Sequence, residues 1–209
     1  MTRNQEVLIA FLLFLISLPI QLIVALALRI QLGSPLMFRQ TRAGLDGRNI
    51  LVPKFRTMSD ARDANGDLLP DAERETRFTR IVRRLRCDEL PQLWLVLRGQ
   101  MALVGPRPLL PSTLDGFGAL GKLRNSVRPG LTGWAQVNGN TRLSNTEKLA
   151  LDLWYVAHRT PRLDLRVLAE TIMVPLRGEI RDDSRLNAAT EWARAQFGAS
   201  LDAAAKANA

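Results

Sequence analysis

Apolar residues run without a charge from Val7 to Leu28. A helix needs about 20 residues to cross the hydrocarbon core of a bilayer, so the segment is long enough to do so. Three readings fit it. A secretory leader would use Arg3 as its basic start and Ala25-Leu26-Ala27 as its cleavage site, although the run is longer than a leader's usual apolar core. A simple spanning helix would keep the rest of the chain cytoplasmic, because Arg29, Arg39, Arg42 and Arg48 follow it. A re-entrant helix would bend at Pro19, which offers no N–H to the carbonyl of Leu15 and crowds it with its ring. Ser17 stands where a hydroxyl can take up a freed carbonyl inside an apolar layer. Periodicity alone does not separate the last two.

Beyond Ser34-Pro35 the pattern changes. Alternating apolar positions from Met37 to Lys54, with Gly44 and Asp46-Gly47, predict a short hairpin turning near Asp46-Gly47. Ser59 to Glu75 is polar, with Asn65-Gly66 and Pro70, and reads as a surface excursion. Ile81, Val82 and Leu85 after Phe78 have helical spacing, and Leu90-Pro91 interrupts it. Leu93, Trp94, Val96 and Leu97 form a second helical run that Gly99 closes. Gly105-Pro106-Arg107-Pro108 is an extended turn, since both prolines forbid helix. Arg128-Pro129-Gly130-Leu131 has type II turn chemistry, and Asn138-Gly139 is a further turn. Glu147 to His158 predicts a helix burying Leu149, Leu153 and Val156. Leu163 to Leu176, edged by Arg162, Arg166 and Arg177, is either a core helix or an interfacial one with snorkelling arginines. From Ala199 the Ala-rich tail is expected to fray.

Charge narrows the partners. The 209 residues carry a net charge of +9, which suits nucleic acid, anionic lipid or a phosphorylated substrate. Of 29 basic residues only Lys54, Lys122, Lys148 and Lys206 are lysines. The guanidinium fork matches phosphate oxygens, although a genome rich in arginine codons gives the same bias. Cys87 is the only cysteine, so no intrachain disulfide forms, which fits a reducing compartment. His158 is the only histidine. The usual Cys/His zinc sites are thereby excluded, and so is a histidine-base hydrolase unless His158 is the base. His158 flanks a predicted core helix and Cys87 is small and apolar, so packing suits both.

The chemistry-bearing cluster is Asp88-Glu89, close to a helix start. Adjacent helical positions face different ways, so each carboxylate can reach a different group. Adjacent carboxylates also oppose each other's ionisation, which can separate their pKa values. A carboxylate can attack phosphorus as a nucleophile or hold Mg2+ beside substrate phosphates. An acidic pair stabilised by a helix dipole would look the same. Arg77, Arg80, Arg83, Arg84 and Arg86 lead into the pair and Arg107 follows it, supplying phosphate clamps or merely a solvated or headgroup-facing surface.

Taken in order, six stretches resemble the small monotopic phosphoglycosyl transferases, bacterial sugar transferases that begin glycoconjugate assembly. They are Lys54-Phe55-Arg56-Thr57-Met58, Asp63-Ala64-Asn65-Gly66, Asp88-Glu89-Leu90-Pro91-Gln92-Leu93, Val104-Gly105-Pro106-Arg107-Pro108, Arg128-Pro129-Gly130-Leu131-Thr132-Gly133 and Asp152-Leu153-Trp154-Tyr155. The match runs from about Arg3 to about Thr190.

The resemblance implies a mixed α/β, mainly helical fold. Residues 1–33 would form a re-entrant membrane helix with Ser17 and Pro19 at its bend. Residues 34–190 would form a catalytic domain with a small β-hairpin and interfacial amphipathic helices, and residues 191–209 a C-terminal tail. It implies transfer of a sugar-1-phosphate from a UDP-sugar to undecaprenyl phosphate with release of UMP. Asp88 would be the nucleophile and Mg2+ ligand. Glu89 would position or deprotonate the acceptor, and Arg107, Lys54 and Arg83 would contact phosphate. The partners would be those two substrates and membrane phospholipid, not nucleic acid, at the cytoplasmic face of the bacterial inner membrane.

Departures from the family pattern are Leu18 before the bend, Arg86-Cys87 before the acidic pair, Leu95, Gln100 and Asn140, with no tryptophan near Ser144. They put substrate preference in doubt. Competing functions are a non-catalytic scaffold of the same family, a basic protein on anionic lipid, and an ordinary glycosyl transferase releasing UDP.

Overall fold

The computed structural model describes residues 1–207. The fold is mainly helical, with two small two-stranded sheets. Helix α1, Arg3–Leu32, opens with a capping box in which Thr2 and Gln5 satisfy each other's backbone N–H groups. Among the described residues it is the one helix long and apolar enough to cross a membrane. It runs through Pro19 as one element. Ser17 Oγ donates to the carbonyl of Phe14 at 3.1 Å, and Gln21 Nε2 donates to Ser17 Oγ at 3.0 Å. The serine thus does take up a carbonyl beside the proline, but that of Phe14.

One stripe of α1, Ala10, Ser17, Gln21, Val24 and Leu28, is buried against the rest of the protein, while Ile16, Leu22, Ile23 and Ile30 are more than 60% exposed. Both ends of α1 touch the same globular body. At the start, Arg3 Nη2 donates to the Val96 carbonyl at 2.6 Å and Glu6 Oε1 accepts from the Leu103 N–H at 2.9 Å. At the end, Val24 and Leu28 pack on Phe55 and Val82, and Arg56 donates to the Leu32 carbonyl at 2.5 Å.

Strands β1 (Met37–Ala43) and β2 (Asn49–Phe55) pair antiparallel with Phe38 opposite Lys54. Asp46 and Gly47 turn the hairpin at φ of 55° and 75°, where predicted. The polar excursion includes one short helix, α2 (Asp71–Arg74). There Asp63 Oδ1 accepts from the N–H groups of Asn65 and Asp67, a turn-building role. Helix α3 (Arg77–Arg84) is capped by Thr76. A 3-10 turn, Cys87–Gln92, then leads into α4 (Leu93–Leu97).

Strand β3 (Ala102–Val104) pairs in parallel with β4 (Gly130–Thr132), with α5 (Pro111–Gly116) and α6 (Ala119–Arg124) between them. The type II turn expected at Arg128–Leu131 does not form. Gly130 starts a strand, and glycine is needed there for closeness: an added Cβ would lie 2.1 Å from Gly105 N. Helices α7 (Trp134–Val137), α8 (Asn145–His158), α9 (Pro161–Arg177) and α10 (Asp183–Ala207) complete the chain.

The main core joins Leu93, Val96, Met101, Leu103, Trp134, Leu151, Tyr155, Val167 and Leu186 to Ala10 of α1. Helix α8 is buried on more than the predicted face, with Leu151, Asp152 and Tyr155 inside as well as Leu149 and Leu153. Helix α9 fully buries only Val167 and leaves Leu165, Ile172 and Leu176 exposed, so it is not a core helix. The Ala-rich end expected to fray is helical to Ala207. Beyond a kink at Gly198, Leu201 and Ala204 pack with Phe117, Leu120, Leu149 and Leu153.

Candidate active site

The site starts from a backbone reversal. Helix α3 stops because Arg86 takes a left-handed φ of 56°, and the Glu89 N–H then bonds back to the Arg86 carbonyl at 3.2 Å. Pro91, which has no N–H of its own, sits within the resulting 3-10 turn. The turn packs on β2, and its two carboxylates are buried, Asp88 6% and Glu89 9% exposed. Lys54 reaches them from β2. Its ammonium also lies 5.3 Å from the centre of the Phe38 ring on the opposing strand.

Arg107 arrives on the Pro-Arg-Pro segment. Backbone bonds from Gly105 N to Thr132 O (2.9 Å) and from Gly130 N to Pro106 O (2.9 Å) fix that segment against β4. Glycines 105, 130 and 133 permit the approach, since a Cβ on any of them would meet backbone atoms at 2.5 Å or less. From beneath, Arg124 Nη2 donates to the Arg107 carbonyl at 2.7 Å. Arg124 is itself 1% exposed and paired with buried Asp152, Nη2 to Oδ2 at 2.7 Å. Two of the family-like stretches, around Gly130 and Asp152, therefore meet at the support of Arg107.

Asp88, Glu89, Lys54, Arg83 and Arg107, all singled out in the sequence, line one cavity of about 350 Å3. Arg84, Arg86, Asn140 and Glu179 share it. Arg77 and Arg80 are exposed elsewhere on α3 and do not line it. Ser17 and Pro19 belong to α1 and are no part of it. Glu179 carried no motif. A glycine after a long helix, Gly178, was the local signal of a chain reversal there. His158 stacks on Trp154 with ring centres 4.5 Å apart, and Cys87 packs beside Val82 and Leu28. Burial, with Asp88 adding to it, pushes the Cys87 thiol up, away from reactivity.

The two carboxylates have different surroundings. Glu89 faces Arg107 with both oxygens, at 2.5 and 3.4 Å, and Arg86 stands 3.7 Å away. Burial works to raise Glu89, but Arg107, Arg86 and Lys54 together hold it below the usual carboxylate range. Among the described residues no other residue hydrogen-bonds the Asp88 carboxylate; its own backbone N–H does. Burial first, and the Glu89 charge second, push it up to about 6 against the pull of Lys54 and Arg83. Burial lowers Lys54, opposed by Asp88 and Glu89. Arg83 is engaged by Glu75 at the rim. The arrangement offers a carboxylate of raised basicity, tied to no one guanidinium, inside a wall of guanidinium groups, which suits attack on a phosphorus carrying several anionic oxygens. Among the described residues no three His, Cys, Asp or Glu side chains gather into a metal cluster.

Comparison with known proteins shows the family. The bacterial sugar transferase family matches residues 1–178. An uncharacterized sugar transferase of Bacillus subtilis, EpsL, is 48% identical over 69% of this chain and 71% of its own length. The undecaprenyl-phosphate glucose phosphotransferase of Komagataeibacter xylinus is 41% identical over 81% of this chain. The UDP-N-acetylgalactosamine-undecaprenyl-phosphate N-acetylgalactosaminephosphotransferase of Aeromonas hydrophila is 33% identical over 84%. The matches cover 35% and 44% of the lengths of these last two relatives. The chain belongs to the bacterial sugar transferase family.

Proposed function

We propose that the chain transfers a sugar-1-phosphate from a UDP-sugar to undecaprenyl phosphate in two displacements at phosphorus. In the first, an Asp88 carboxylate oxygen forms a bond to the β-phosphorus. The bond from that phosphorus to the bridging oxygen breaks, and UMP leaves with the electron pair. In the second, a phosphate oxygen of the acceptor forms a bond to the same phosphorus. The Asp88–phosphorus bond then breaks, the carboxylate is restored, and the sugar stays on the lipid diphosphate. Splitting the transfer in this way is the general gain of covalent catalysis.

The observation that carries this reading is the division between the adjacent carboxylates. Asp88 is tied to no guanidinium and raised to about 6, so at neutral pH it is mainly ionised while keeping more basicity than an ordinary aspartate. Glu89 is tied to Arg107 and held low, which makes it a poor base. The acceptor needs none: a phosphate monoester has its second pKa near about 6 and is already largely dianionic at pH 7. Glu89 then serves to aim Arg107, whose side chain is 43% exposed and lines the cavity. Lys54 and Arg83 complete the phosphate contacts.

The residues fit Mg2+ in the manner usual for phosphate enzymes, with one carboxylate, Asp88, and the remaining ligands from substrate and water. Bound there, the ion would neutralise diphosphate charge.

The membrane reading rests on α1. Its exposed apolar faces suit a bilayer, and contacts at both of its ends with one globular body favour a helix that enters and leaves by the same face. Arg29, Arg39, Arg42 and Arg48 favour the cytoplasmic face of the inner membrane for that body.

The test is nucleotide release by detergent-purified protein with Mg2+, undecaprenyl phosphate and a panel that includes UDP-glucose and UDP-N-acetylgalactosamine, beside Asp88→Ala. UMP from the parent and none from the variant supports the proposal. UDP release would replace it with ordinary glycosyl transfer, and silence across the panel would replace it with the scaffold reading.

A further inference from the structure

The family match ends at Gly178, one residue short of a carboxylate that reaches into the cavity. Gly178 closes α9 at a φ of 79°, its N–H donating to the Val174 carbonyl at 2.8 Å. That left-handed step turns the chain back and brings Glu179 into the wall of the cavity that Lys54 and Asp88 also line. The two Glu179 oxygens accept four donors. Oε1 takes Arg86 Nη2 at 3.1 Å and the side-chain amide of Asn140; Oε2 takes the Thr141 N–H at 3.0 Å and the Thr141 hydroxyl.

Among the described residues, three other than glycine have positive φ: Asp46, Arg86 at 56° and Asn140 at 45°. Asp46 belongs to the hairpin turn. The other two are both held by Glu179. The left-handed conformation costs an L-residue roughly 5- to 30-fold in population, so each needs a partner to persist. Arg86 matters most, because its reversal launches the 3-10 turn that carries Asp88 and Glu89. Glu179 also draws Arg86 toward itself, leaving it 3.7 Å from Glu89 while Arg107 binds Glu89 at 2.5 Å.

We propose that Glu179 is a positioning residue for the transfer: anchored to Asn140 and Thr141, it clamps Arg86 and so fixes the turn that aims Asp88. This rests on the transfer reading given above. Glu179 touches no reacting atom and acts through Arg86. The segment that carries it has other fastenings. The Asp182 N–H bonds to the Asn138 carbonyl at 3.3 Å, Arg185 to Asn138 Oδ1 at 2.9 Å, and Arg181 to Glu147 at 2.7 Å. Truncating Glu179 therefore leaves the segment docked.

The experiment compares Glu179→Ala, Arg86→Gly and the double variant, using UMP release from whichever of UDP-glucose or UDP-N-acetylgalactosamine the parent accepts. Glu179→Ala should lower kcat roughly 5- to 30-fold, the factor set by the left-handed cost, with KM for the UDP-sugar changed by less than about twofold. Glycine adopts a left-handed φ without help. In the Arg86→Gly background the same truncation should therefore cost less than about twofold. Equal losses in both backgrounds, or no loss in the parent, would overturn the proposal. Amide hydrogen exchange supplies a measure independent of activity. Glu179→Ala should speed exchange at Arg86 and Glu89, whose N–H groups close the turn, and unchanged exchange there overturns the clamp. A parent that releases no UMP sinks the transfer reading, and the exchange result still judges whether Glu179 holds the turn.

Discussion

Removing Asp152 tests how the site is held up. Its carboxylate is 2% exposed and meets Arg124, 1% exposed, at 2.9 Å from Nε and 2.7 Å from Nη2. In Asp152→Ala the guanidinium keeps only neutral acceptors, Asn125 Oδ1 at 3.0 Å and the Arg107 carbonyl at 2.7 Å. A buried charge stripped of its partner costs about 3–5 kcal/mol. At about 2–4 °C per kcal/mol for a chain of this size, the midpoint should fall by roughly 6–20 °C. Tryptophan emission during heating in detergent reports it, because Trp134 is buried and stacked on Trp154. The double variant Arg124→Met, Asp152→Leu replaces the pair with apolar groups of similar size and should regain more than half of that loss. Its UMP release should stay depressed, roughly tenfold or more, because the Arg107 carbonyl has lost a charged donor. A midpoint for Asp152→Ala within about 2 °C of the parent, or a double variant no more stable than the single, would refute the assignment of a buried supporting ion pair.

Three further outcomes follow from the geometry. Asp88 is raised to about 6, so its ionised form is lost as pH falls through that value. In metal-free protein the Asp88 carboxyl carbon should titrate near 6 by NMR; a midpoint near the ordinary value of about 4 contradicts the environment described. Gly130→Ala sets a Cβ 2.1 Å from Gly105 N and 2.3 Å from Thr132 O, both backbone atoms. It should cost about 3 kcal/mol, the upper end for overpacking, by parting β3 from β4, and a normal thermal midpoint would show that the pairing is looser than drawn. For α1, Thr2→Cys and Ser34→Cys in a Cys87→Ala background should react with an impermeant maleimide from the same side of the membrane. Labelling from opposite sides would establish a spanning helix.

Much of this was legible because local chemistry and tertiary use coincide. The hairpin was readable because Asp46-Gly47 tolerates left-handed φ and the flanking strands alternate. A break between two helical runs was readable at Leu90-Pro91, but the first run ends earlier, at the left-handed Arg86, and Pro91 sits inside the 3-10 turn that follows. Arg128-Pro129-Gly130-Leu131 shows where that coincidence ends. A glycine serves a turn through its φ and a close contact through its missing Cβ, and sequence does not say which. Gly105, the partner that decides the matter, lies 25 positions earlier. The Ala-rich end was misjudged for a similar reason. Small side chains fray alone, yet Ala204 and Leu201 fill space left by Phe117 and Leu149 of earlier elements. Glu179 was invisible as a lone acidic residue in a polar segment, since its meaning comes from donors on two other segments.

On the proposed transfer, the arrangement also gives a reason for a basic cavity to carry two carboxylates where one nucleophile would do. A single buried aspartate among Lys54, Arg83, Arg86 and Arg107 would be driven well below its ordinary pKa and lose basicity. Glu89 prevents this in two ways. It takes Arg107 and part of Arg86 as its own partners, and its charge lies among the causes that lift Asp88. Glu179 extends the pattern by engaging the far side of Arg86, so charges alternate from Arg107 through Glu89 and Arg86 to Glu179. Charge in such a chain is largely compensated within it, and Asp88 stands outside it. The guanidinium groups are held in place before substrate arrives, so their positions are set without prior loss of nucleophile strength. An incoming diphosphate can then compete with Glu89 for Arg107, whose exposed side chain faces the cavity. On that reading, Glu89 released in this way would carry its charge beside Asp88 and raise the aspartate's basicity further.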